Sequence, residues 1–72
     1  MVQTGSIKFK SEEKWRQIEY RETVDGIRIL RPDSEIQFLN GVIGVTVEVQ
    51  LQQDGPTDEY RVQQHGSLVK IA

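Results

Sequence analysis

Three glycine dipeptides punctuate this 72-residue chain: Asp25-Gly26, Asn40-Gly41 and His65-Gly66. Each lies between segments whose apolar residues alternate with polar ones. A two-residue type I′ hairpin turn needs positive φ at both central positions, which glycine accepts freely and Asn, Asp and His accept better than most residues. The pattern predicts hairpins in series. A turn at 40–41 pairs Phe38 with Ile43 and Ile36 with Val45, and Val47, Val49 and Leu51 continue that face. A turn at 65–66 pairs Val62 with Val69 and Tyr60 with Ile71. A turn at 25–26 pairs Val24 with Ile27 and sets Leu30 opposite Arg21. Phe38, Ile43, Val45, Val62, Val69 and Ile71 are thereby expected to share the interior. A one-residue slip would reverse every such assignment, because side chains alternate faces along a strand.

The remaining segments fit this scheme. Ile7 and Phe9 alternate with Lys8 and Lys10 and mark a short first strand, expected at a sheet edge where lysines discourage strand addition. Ser11-Glu12-Glu13 resembles a helix start, so one helical turn is expected near residues 11–14, followed by a strand from Trp15 to Val24. Ile27–Arg31 and Glu35–Leu39 read as strands separated by a turn at Pro32-Asp33-Ser34. Val42–Gln52 reads as one long strand, with a bend or bulge at Gly44. Residues 53–58 form a loop, and the strands Glu59–Gln64 and Ser67–Ile71 make the last hairpin. The expected fold is all-β: a small antiparallel barrel or roll of SH3- or OB-like architecture, with six to seven strands. It occupies residues 1–72 as one domain, with 1–6 frayed.

Size constrains what holds such a domain together. A chain this short buries only about 60% of its unfolded surface. It contains no cysteine to staple it, and its hydrophobic content is 36%. Burial against another copy or another protein is the natural supplement. No apolar run approaches membrane-spanning length, and the N-terminus lacks a signal-peptide pattern. A cytoplasmic protein, or part of a viral or phage particle, is expected. The net charge of −2 divides into +2 over residues 1–32 and −4 over residues 33–72.

No motif names a reaction. The single histidine, His65, belongs to a turn, and no nucleophile–base pair or cofactor fingerprint is visible. No enzyme activity, cofactor or metal is expected. Asp54-Gly55-Pro56-Thr57-Asp58 lacks the alternating oxygen ligands of a calcium loop. Two binding readings remain. In the first, Leu30, Leu39, Val42 and Leu68 point away from the main apolar face and, with Trp15, form a contact patch. The protein is then an interaction or assembly module, partnered by its own copies or by another protein. In the second, Lys8, Lys10, Lys14, Trp15, Arg16, Tyr20 and Arg21 mix cations with rings as nucleic-acid-binding barrels do. Interleaved Glu12, Glu13, Glu19 and Glu22 weaken that second reading.

Overall fold

The computed structural model describes residues 2–71. Six strands, β1 (Gln3–Phe9), β2 (Arg16–Glu22), β3 (Gly26–Arg31), β4 (Thr46–Gln50), β5 (Thr57–Val62) and β6 (Ser67–Lys70), carry a single helix, α1 (Asp33–Asn40), between β3 and β4. All neighbours are antiparallel, and the order β1-β2-β3-β6-β5-β4 closes where β4 returns to β1. The expected small all-β barrel is the fold. Period-2 alternation fills its interior: Ile7 and Phe9, Ile18 and Tyr20, Ile27 and Ile29, Val47 and Val49, Tyr60 and Val62, and Leu68 are all buried. Among the described residues no helix is long and apolar enough to cross a membrane.

Closure changes the role of β1. It pairs with β2 through Gln3–Ile7 and with β4 through Ser6–Phe9, so it is not an edge strand. Gln3–Ser6, expected to fray, is held in this ladder; Met1 lies outside the described residues. The helical turn expected at residues 11–14 does not form. Arg16 must already be extended to pair with Ile7, and the Glu12 N–H turns back onto the Phe9 carbonyl (3.0 Å) instead.

The three glycine turns have three different outcomes. At 25–26 the hairpin forms, but its register pairs Glu22 with Ile27, Arg21 with Arg28 and Tyr20 with Ile29. The loop is longer than two residues and is tied by Thr23 N–H to the Gly26 carbonyl (2.9 Å). This shift moves the pairing by a whole pleat and keeps the apolar residues inside. It leaves Val24 fully exposed at the tip and places Arg21 opposite Arg28, not Leu30.

At 65–66 both residues do take positive φ, His65 at 57° and Gly66 at 76°. They belong to a 3₁₀ turn, Gln64–Gly66, one residue longer than a two-residue loop. Val62 therefore faces Leu68, and Tyr60 faces Lys70. A one-residue slip reverses faces: Leu68, expected outside, is fully buried, while Val69 is only partly buried and Ile71 is exposed.

At 40–41 there is no hairpin. Residues 33–40 are helical, and Gly41 keeps a right-handed φ of −84°. Pro32, which lacks an N–H, precedes the helix, and its carbonyl accepts from Glu35 N–H (3.1 Å) and Ile36 N–H (3.3 Å). Asp33 and Glu35 place negative charge in the first turn, where the helix dipole favours it. The helix turns Leu39 fully into the core and leaves Phe38 outside. Ile43 and Val45, expected inside, face water as well. Gly44, at φ 96°, lies in the turn that leads to β4, so the long strand expected from Val42 begins only at Thr46.

Candidate interaction surface

One end of the barrel is built from α1, the β1–β2 loop, the turn into β4 and the 3₁₀ turn. α1 covers this end with Leu39 as its plug. Gly66 permits the approach: a Cβ there would crowd Ile36 Cγ1 at 3.3 Å and the Ile29 carbonyl at 3.2 Å. The Asn40 side-chain oxygen accepts the His65 N–H at 3.0 Å, which fastens the last helical turn to the 3₁₀ turn.

A second clasp lies across the mouth. The Phe9 and Phe38 rings meet edge-to-face at 5.2 Å between centroids. The Arg16 guanidinium lies 5.0 Å from the Phe38 centroid and 5.8 Å from that of Phe9. Its Nη1 donates to buried Glu35 (3.0 Å), and its Nη2 reaches Glu12 (3.4 Å). β2 and the β1–β2 loop are thus joined to the helix by charge and aromatic contact together.

Beyond these contacts the segment from α1 into β4 presents apolar side chains. Phe38, Ile43 and Val45 are 45%, 47% and 43% exposed and lie within eight residues of one another in sequence. Residues 36–47 form an uncharged run of twelve in a chain that is 28% charged. Depletion of charge together with exposed aromatic and aliphatic side chains is the composition of an interface core.

The residues expected to form a contact patch are dispersed. Leu39 and Leu68 are fully buried and present no surface. The helix in place of a hairpin accounts for Leu39, and the extra turn residue accounts for Leu68. Val42 packs against the core with partial exposure, Leu30 is half-buried on the β3 outer face, and Trp15 is 38% exposed in the β1–β2 loop.

Of the cations and rings of the nucleic-acid reading, Lys8, Lys10 and Arg16 are held in ion pairs and Tyr20 is buried. Lys8 pairs with Glu48 (3.3 Å) and lies over the Trp15 ring (5.7 Å). Lys10 pairs with Glu59 (2.8 Å), and that hydrogen bond and charge hold its ammonium above the ordinary lysine pKa. Arg16 belongs to the clasp. Tyr20 is buried, and burial, followed by the Glu22 charge, raises its phenol pKa. Lys14 and Arg21 are exposed. No group of three or more His, Cys, Asp or Glu side chains converges among the described residues.

No protein-family model, curated protein or solved structure matches this chain.

Sequence alternation assigned Phe38, Ile43 and Val45 to the interior, so their surface role was missed. The available signal was the uncharged run itself. Asn40-Gly41 serves equally as a hairpin turn or as the polar end of a helix, and Pro32 followed by Asp33 and Glu35 marks a helix start.

Proposed function

We propose that this chain is a non-enzymatic assembly module that binds a second copy of itself through the helix-bearing end of the barrel. The supporting observation is the coincidence of three half-exposed apolar side chains, Phe38, Ile43 and Val45, with a twelve-residue stretch free of charge. An isologous contact uses the same patch on both copies, residue i meeting j and j meeting i. The 36–47 segment carries no charge that two copies would have to bring together. The closed barrel leaves no free strand to extend, so side-chain burial, not strand addition, drives the contact.

Sedimentation velocity over a wide concentration range, on the wild type and Ile43→Asp, tests this reading. The wild-type mass rises from 8.3 kDa toward twice that value. Ile43→Asp stays monomeric with an unchanged thermal melt. A wild type that remains monomeric at the highest concentration, or an Ile43→Asp protein that assembles equally well, overturns the proposal.

A further inference from the structure

We infer that the outer face of the β2–β3 hairpin is a docking groove for an extended peptide that carries a carboxylate and an aliphatic side chain two residues apart, on one face. Arg21 and Arg28 are directly opposite one another across the ladder, and both are exposed. Like charges in directly opposed positions destabilise a sheet. Lys8, Lys10, Arg16 and Lys70 each meet a carboxylate, whereas no ion pair joins Lys14, Arg21, Arg28, Arg31 or Arg61 to an acid among the described residues, and of these Arg21 and Arg28 are paired with each other across a ladder. Two guanidinium forks side by side suit an incoming carboxylate, which either can bind bidentately.

The surroundings specify the rest of the ligand. The two arginines line a shallow cleft of about 760 Å³ with Val24, Leu30 and Ile36. Arg28 and Leu30 are two residues apart on β3, roughly 6.6 Å along an extended chain. A strand-like peptide has the same period, so a carboxylate seated at the arginine pair and an aliphatic side chain two residues along share one face, and the second reaches Leu30 and Ile36. No Phe, Tyr or Trp ring lines the cleft, His65 being its one imidazole, and Glu22 in its lining opposes a continuous phosphate backbone. Charge and apolar lining together favour peptide over nucleic acid. The cleft reaches the helix-bearing end at Ile36 and His65, but Phe38, Ile43 and Val45 do not line it, so it does not rest on self-association.

Fluorescence anisotropy with the labelled octapeptide Glu-Ser-Val-Ser-Glu-Ser-Val-Ser, whose Glu and Val share one face when extended, tests the inference at low and at physiological salt. The controls are the Gln/Val counterpart, a single-stranded oligonucleotide of equal charge, and the double variant Arg21→Gln/Arg28→Gln. The Glu/Val peptide binds the wild type. Binding falls about tenfold or more for the Gln/Val peptide and for the double variant, and it weakens with salt. The double variant keeps or raises the wild-type melting temperature, because a like-charge opposition has been removed. Absence of binding at low salt, equal binding of the Gln/Val peptide, undiminished binding by a folded double variant, or preference for the oligonucleotide would each overturn it.

Discussion

Gly26 lies against the backbone of Leu68 at the seam where β3 meets β6. A Cβ on Gly26 would be driven into the Leu68 carbonyl oxygen and would lie 3.0 Å from the Val69 Cα. Both obstacles are backbone, so no rotamer change relieves them. The β3–β6 ladder is short, spanning Gly26–Arg28 against Ser67–Val69, yet it completes the barrel. Gly26→Ala is expected to cost at least the upper end of the ~1–3 kcal/mol typical of overpacking. Urea unfolding followed by circular dichroism measures the loss. A variant as stable as wild type would show that the seam can open without consequence.

The Arg16 clasp carries a directional prediction. Arg16→Ala removes the partner of buried Glu35 and the cation between two phenylalanine rings. A hydrogen bond to a charged group contributes about 1.5–3 kcal/mol, and a loss of that order is expected. Glu35→Gln keeps a hydrogen-bonding oxygen for Arg16 and leaves the Glu12 contact intact, so it costs less. Denaturant midpoints of the two variants give the order, and Glu35→Gln proving the worse would refute the clasp as described.

Leu39 and Ile43 are four positions apart in sequence and opposite in role. Leu39 is fully buried as the plug under α1, whereas Ile43 is 47% exposed. Leu39→Ala is expected to destabilise by about 2–5 kcal/mol, as buried leucines do. Ile43→Ala, measured at a concentration where the protein is monomeric, falls within about 0.5 kcal/mol of wild type. Equal losses at both positions would place Ile43 in the core and remove it from the contact surface.

Alkaline pH exposes a fourth property. Tyr20 and Tyr60 are both buried, and burial, then nearby acidic groups, raises both phenol pKa values above 10.0. In the unfolded chain a tyrosine ionises near pH 10. Between that pH and the higher folded pKa the native state binds more protons than the unfolded one, so stability falls as pH rises. Below pH 10 the contribution is complete. Lys10, whose pKa is raised by Glu59, acts in the same direction, but it is a fully exposed group. The double variant Tyr20→Phe/Tyr60→Phe separates the two: its alkaline unfolding midpoint moves to higher pH. An unchanged midpoint would assign alkaline loss to other groups.

The strands themselves were legible where alternation ran without competition. Ile7/Phe9, Ile18/Tyr20, Ile27/Ile29, Val47/Val49 and Tyr60/Val62 are the interior pairs of five strands. Alternation alone placed Ile7/Phe9 and Val47/Val49 in strands. The positive φ of His65 and Gly66 was likewise readable from residue type, whereas Gly44, expected to bend a long strand, lies in the turn before β4. The β2–β3 register was misjudged without harm to the core, since a shift by a whole pleat preserves faces. It nevertheless concealed the Arg21–Arg28 opposition, which appears only when the correct ladder is known.

What the sequence determined by itself was the local element: apolar period two makes strands, and glycine with Asp, Asn or His makes places where the chain can turn. What only the tertiary structure decided was how many residues each turn consumes and whether Glu35–Leu39 becomes strand or helix. Those choices depend on contacts remote in sequence, such as Gly66 beneath Ile36, Asn40 against His65 and Glu35 beside Arg16. One residue more in the last turn turned Leu68 inward, and one helix in place of a hairpin buried Leu39 and brought Phe38, Ile43 and Val45 to the surface. Surface identity is therefore set by register and closure, and neither is encoded within any single segment.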